Sequence, residues 1–315
     1  NGAADNYRAG IAAIEHYDGH DSKRLIPWLN NLTAVHKARG EMKEAAALTS
    51  RVLKLARTQL GALHPAVASA CDQLGSIHYQ SGNYDEAEPL FREALDIASK
   101  TFGPEHSATA ACMNNLAALL DARQQFKEAE TLYRKALQIR HGLHGEHHSD
   151  TASTLHNLAT VLEAAGKTDE AEQLFRRALD AWDKVSGQES PAFATTLLSL
   201  ADLLRDREQW ADAEALYRSD IEIWRSLVGP EHPHTLAALS GLGRLYADGG
   251  KPELGEPLLM HVIDTAERVV GKTDPLYMEA AGVLGALLRQ AGRKEEARQL
   301  LHSALSAHDN SLGMI

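Results

Sequence analysis

Apolar residues recur along the chain at intervals of three and four, and the whole pattern returns every 42 residues. One leucine column is unbroken: Leu32, Leu74, Leu116, Leu158, Leu200, Leu242 and Leu284. Three residues earlier stand Leu29, Cys71, Met113, Leu155, Leu197, Leu239 and Ala281, and three residues later Val35, Ile77, Leu119, Val161, Leu203, Leu245 and Leu287. Those spacings make one stripe of an α-helix. A second unbroken column, Leu48, Leu90, Leu132, Leu174, Leu216, Leu258 and Leu300, predicts a second helix in each unit. Small residues flank it, as at Ala87, Ala94, Ala129, Ala136, Ala171 and Ala178, and they let two helices approach closely. Apolar positions do not alternate with period two, so no sheet is predicted.

Punctuation keeps the same period. Glycines fall at Gly19, Gly61, Gly103, Gly145, Gly187, Gly229, Gly271 and Gly313, every interval being 42. Three residues after the first seven comes a helix-start signal: Ser22, His64-Pro65, His106-Ser107, His148-Ser149, Ser190-Pro191, His232-Pro233 and Asp274-Pro275. Proline is tolerated in a first helical turn because its missing N–H would be unpaired there. The preceding Ser or Asp suits an N-cap better than His does. Between the two helices of a unit lies Gly40, Gly82, Gly166, Gly250 or Gly292, replaced by Gln124 and Glu208 in two units. Seven units therefore start at 22, 64, 106, 148, 190, 232 and 274, and residues 1–21 supply the second helix of another. One amphipathic helix pair cannot bury its apolar face, but stacked pairs can, which predicts an all-α solenoid of about seven and a half helix-turn-helix repeats. Asp220 in a small-residue column, and Pro252 with Gly255 in one second helix, predict a looser fifth and sixth unit.

These columns resemble the tetratricopeptide repeat. The match rests on the Leu-Gly/Ala pair, the mid-unit glycine, the alanines and the aromatic column Phe91, Tyr133, Phe175 and Tyr217. The 42-residue length and the linking strings FGPEHS and VGPEHP are similar to kinesin light chain repeats over residues 22–315. Thr49, Leu259 and Leu301 depart from the aromatic column. The resemblance implies a right-handed solenoid whose first helices line a concave groove. It also implies that the residues five, eight, nine and twelve places into each unit face that groove. An Asn at the ninth place would hydrogen-bond a bound peptide's backbone, since a side-chain amide both donates and accepts. The implied peptide-binding set is Asn31, Gln73, Asn114, Asn115, His156, Asn157, Ser199, Arg205 and Arg244. Five-place residues Pro27, Ser69, Ala111, Ser153, Thr195, Ala237 and Glu279 are not basic, which argues against a clamp for a C-terminal carboxylate. Seven first helices about 9–10 Å apart would span about 60 Å, room for about fifteen extended residues.

Composition narrows the function. The 315 residues are 44% hydrophobic and 24% charged, with a net charge of -11, so binding to a phosphate backbone is disfavoured. No apolar run approaches the length of a membrane span, so no insertion is expected. Two cysteines make no disulfide framework, and Cys71 and Cys112 read as small buried thiols. The run HGLHGEHH over 141–148 has metal-capable histidines but is read as an exposed loop, with no metal assigned. Gly166-Lys167-Thr168 and Gly271-Lys272-Thr273 lack the earlier glycine of a phosphate loop, having Val161 and Ala266 there. No catalytic motif appears, so neither enzyme activity nor a cofactor is expected. The sequence reading is a non-enzymatic scaffold holding an extended peptide or protein segment. Its alternative is a sensor or autoinhibitory region of a larger signalling NTPase or protease. A first residue other than Met and apolar array ends suggest a flanking domain or a dimer contact. The expected compartment is the cytoplasm, with periplasm or secretion left open.

Overall fold

The computed structural model of the chain describes residues 2–312, with side chains described through 307; Gly313 of the glycine series lies outside these. Among the described residues there are fifteen α-helices and no strand. They form two compact units, 1–146 and 147–315. The first holds α1 (Gly2–Asp18), α2 (Leu25–Ala38), α3 (Met42–Leu60), α4 (Pro65–Gln80), α5 (Tyr84–Phe102), α6 (Ser107–Ala122) and α7 (Phe126–His144). The second holds α8 (Ser149–Ala164), α9 (Thr168–Ser186), α10 (Pro191–Asp206), α11 (Trp210–Val228), α12 (Pro233–Asp248), α13 (Pro252–Val269), α14 (Pro275–Gln290) and α15 (Lys294–Leu312).

Within each unit every helix packs on its sequence neighbours, giving the stacked pairs of an α-solenoid. First helices also reach the first helix of the next pair: α4 touches α6, α8 touches α10, α10 touches α12, and α12 touches α14. Successive second helices make no such approach among the described residues. Each unit is therefore more tightly gathered on its first-helix side, called here the inner face.

The helix ends follow from local chemistry. Imidazole Nδ1 atoms accept the N-terminal backbone N–H at His64 (from Ala66, 3.1 Å), His106 (from Ala108, 3.1 Å), His148 (from Asp150, 3.1 Å) and His232 (from His234, 3.3 Å). Asp274 does the same for Leu276 at 2.9 Å. Histidine thus serves as a cap here alongside Ser and Asp, the less favoured of the three types by general preference: in extended backbone its Nδ1 reaches an orphan N–H. Between paired helices, Gln124 and Glu208 both adopt φ 60, the left-handed conformation that glycine supplies in the other units.

The interior is built on close approach. Gly75 lies against Phe91, where a Cβ would sit 3.0 Å from the ring. Phe91, Tyr133, Phe175 and Tyr217 are buried, with Ala87, Ala94, Ala129, Ala136, Ala171 and Ala178 around them. In α1, Gly10 lies beneath Trp28 of α2, and Tyr7 meets that indole edge-on at 6.2 Å. The two apparent faults of the sixth repeat each have a place in its packing. Pro252 is simply the first residue of α13, and a Cβ on Gly255 would stand 2.7 Å from the Gly243 carbonyl oxygen. Both glycines are there because the two backbones nearly touch. Asp220, by contrast, is a real fault in the core of the fifth repeat, described below.

Two outcomes test this packing by thermal unfolding. A non-glycine residue in left-handed backbone costs about 1–2 kcal/mol, partly offset by glycine's freer unfolded chain. Gln124→Gly and Glu208→Gly should therefore each stabilise the protein by up to about 1 kcal/mol. Gly255→Ala should destabilise it by about 1–3 kcal/mol, because backbone opposes the new methyl.

Candidate functional site: the inner face

In the first unit the inner face is an amide surface that is partly self-satisfied. Asn31 is exposed on α2. On α4, the Gln73 amide donates to Ser69 Oγ at 3.2 Å. On α6, the Asn115 amide donates to both carboxylate oxygens of Asp72 on α4, at 2.9 and 3.1 Å. Burial pushes the Asp72 carboxyl up, while this amide and the Lys37 charge pull it down. Asn114 accepts from Arg140 at 3.5 Å. The Asn30 Oδ1 and Thr33 Oγ1 atoms on α2 are buried without a partner among the described residues. Asn115 thus ties α4 to α6 and is not a free amide.

The second unit has a different chemistry. Between α8 and α10 opens a cavity of about 180 Å³, lined by Ser153, His156, Ala192, Thr195 and Thr196, with Trp182 of α9. His156 Nδ1 and Thr196 Oγ1 are 3.2 Å apart, and the Thr196 hydroxyl also lies 2.8 Å from the Ala192 carbonyl to which it donates. The imidazole meets Phe175 edge-on at 5.6 Å. Burial pushes its pKa down to about 4, so the ring is neutral near pH 7. Asn157 is half-buried and already engaged, and the Ser199 hydroxyl donates to the Thr195 carbonyl at 3.2 Å.

Further along the same helices lies an ionic cluster. Arg205 is only 7% exposed. Its guanidinium donates to Asp202 (2.6 Å), Asp206 (2.8 Å) and the Tyr217 hydroxyl (3.0 Å). Tyr217 in turn donates to Asp202 at 2.6 Å. Arg205 is therefore an internal brace and not the open groove cation expected from its position: the carboxylates on its own helix draw it inward. Arg244 is the more accessible cation, 3.7 Å from Asp248 and 3.5 Å from Glu279 on α14. The Glu163 side chain on α8 has no hydrogen bond or ion pair among the described residues. Its pKa is pushed up to about 7, by burial first and then by Asp202 and Asp206. Sequence reasoning missed Glu163 and Trp182. Glu163 was findable, being two turns beyond His156 on the same helical stripe.

Asp220 sits under this cluster with no exposed surface and no partner for either oxygen among the described residues. Burial raises its pKa to about 8, the Asp202 charge adds to that, and the Trp224 indole offsets only part. Elsewhere, Cys71 and Cys112 are free and buried, their thiols pushed up to about 12 by burial, which makes them poor nucleophiles. In the histidine-rich stretch, His141 faces Glu146 at 3.4 Å and His148 caps α8.

Profiles described as tetratricopeptide repeat match residues 24–98, 67–141, 122–184 and 192–254, and a second set matches 235–276 and 278–313. No curated protein matches the chain. Among solved structures, BtubC from P. vanneervenii is 22% identical with a TM-score of 0.62, over 73% of this chain and 92% of that one. A putative kinesin light chain from Podosopora anserina, with nearly identical TPR-like repeats, is 25% identical with a TM-score of 0.58, over 65% and 97%. The Rap conjugation gene regulator of plasmid pLS20, solved with the Phr* peptide, is 17% identical with a TM-score of 0.63, over 92% and 75%. No described helix is long and apolar enough to cross a membrane.

The unpartnered Asp220 yields a pH prediction. Its folded pKa of about 8 exceeds the ordinary carboxyl value of 3.8, so the folded state holds the proton more tightly. Stability is then lost progressively as pH rises from about 4 to about 8, by an amount on the order of a few kcal/mol. Asp220→Ala, the residue of the equivalent column, should raise Tm more at pH 8 than at pH 5. An equal gain at both values would contradict the buried-carboxyl account.

Proposed function

The chain belongs to the tetratricopeptide repeat family, and from that premise we propose that it is a non-enzymatic scaffold holding an extended peptide or protein segment on the inner face of its first helices. The observation that carries this reading is the open, mostly apolar cavity between α8 and α10, with Ser153, His156 and two threonines in its lining. The exposed Asn31 and the accessible Arg244 extend the same use of the face in the two units. The peptide complex of the Rap regulator supports it by analogy, as a repeat fold of this kind with a peptide bound. Affinity would come from side-chain amides and hydroxyls paired with ligand backbone, and selectivity from pockets between neighbouring first helices.

The structure changes which residues make clean tests. Asn115→Ala would strip the half-buried Asp72 of its donor and cost stability as well as binding. Asn31→Ala and Ser199→Trp alter exposed or half-exposed positions and leave the core intact. A peptide array probed with the full chain should yield binders that weaken at least about tenfold, or about 1.4 kcal/mol, in Ser199→Trp or Asn31→Ala. The far-UV circular dichroism of both variants should be unchanged. Binders insensitive to both changes but lost on reversing an outer-face charge, as in Arg92→Glu, would remove the inner-face assignment.

A further inference from the structure

The α8–α10 seam carries two features that the scaffold reading leaves unexplained, and both lie in the second unit. The first is the cavity of about 180 Å³, whose lining contains no charged side chain. Its walls are the His156 and Trp182 rings, Ala192 and the threonine methyls, and among the described residues neither Ser153 Oγ nor His156 Nε2 has a partner. With the Thr196 hydroxyl donating to the Ala192 carbonyl, His156 Nδ1–H donates to Thr196 Oγ1, which leaves Nε2 as a free acceptor. A flat, uncharged ring with one hydroxyl satisfies this site: its body fills apolar space and its O–H reaches Nε2.

The second feature is a charge imbalance two turns along. Glu163 on α8 is seven residues beyond His156, and Asp202 on α10 is seven beyond Thr195. The two helices run in register, since His156 meets Thr196 at one level and Glu163 senses Asp202 and Asp206 at the next. Asp202, Asp206 and Asp248 surround the buried guanidinium of Arg205, Glu163 lies within electrostatic reach of it, and Arg244 stands at the rim between Asp248 and Glu279. Three carboxylates thus face one buried cation, and the Glu163 side chain beside them has no hydrogen bond or ion pair among the described residues. A cation arriving from outside would complete the set.

Seven residues of helix rise about 10 Å. A polyproline-type extended chain advances about 9 Å over three residues and returns to the same face. We infer that the α8–α10 seam recognises a peptide segment carrying a tyrosine in the cavity and an arginine or lysine three positions away against Glu163, Asp202 and Asp206. This rests on the scaffold reading and names the class of segment bound.

The test uses the full chain and fluorescein-labelled ten-residue peptides in anisotropy titrations. One peptide has Tyr and Arg three positions apart; others replace Arg by Glu, replace Tyr by Ala, or place the pair two positions apart. The Tyr-x-x-Arg peptide should bind at least about tenfold more tightly than each of the others, and the margin over the Glu peptide should shrink at 300 mM NaCl. Ala192→Leu, which fills the cavity, should abolish the tyrosine preference and keep the arginine preference. Glu163→Gln should do the reverse, and circular dichroism verifies the folding of both. Equal binding of the Arg and Glu peptides, discrimination untouched by the two variants, or no binding by any peptide overturns the inference. Array binders that depend on Asn31 or Ser199 but ignore tyrosine and arginine would leave the scaffold standing and remove only this specificity.

Discussion

Close approach of paired helices at small residues is the constraint on which each unit depends. Alanine or glycine at these contacts brings two backbones near enough for one aromatic or leucine side chain to fill the space beside them. Gly75 against Phe91 and Gly243 against Gly255 show the two ways this is done, with the ring as filler or with the backbones nearly touching. The pair then presents its remaining apolar stripe to the next pair. Because the first helices of successive pairs touch and the second helices do not, the polar positions of the first helices are gathered onto one face.

That face has a different chemistry in each unit. In the first, amides and a buried carboxyl pair across neighbouring helices, as Asn115 does with Asp72. In the second, a neutral imidazole cavity gives way within two turns to carboxylates around a buried guanidinium. His156 stands at the repeat position that Asp72 holds in the first unit, while Glu163, Asp202 and Arg205 lie further along their helices. The fold fixes where side chains point, and the individual repeat decides what they offer there.

The helices were legible in the sequence because the signal is periodic and redundant. Seven copies of the leucine column place each first helix, and proline, serine and glycine mark the ends. What the sequence hid depended on side-chain competition. Arg205 sits where a groove residue is expected, yet Asp202, Asp206 and Tyr217 hold it inside. Pro252 and Gly255 look like helix faults in isolation and become ordinary once the first helical turn and the Gly243 carbonyl are in view. Histidine capping was also underestimated, because general preference scales rank the residue low while the backbone here brings Nδ1 onto a free N–H. Glu163 escaped notice because the carboxylates that act on it lie on another helix, about forty residues away in sequence.

The bidentate contact from Asn115 to Asp72 has a mechanical side. It is a cross-link between two neighbouring coils, made of the kind of group that suits pairing with a peptide backbone. A guest that captured the Asn115 amide would unfasten α4 from α6 at that level and put its own main chain in the gap as a replacement strut. The compliance between these two adjacent repeats would then depend on whether that one amide is engaged.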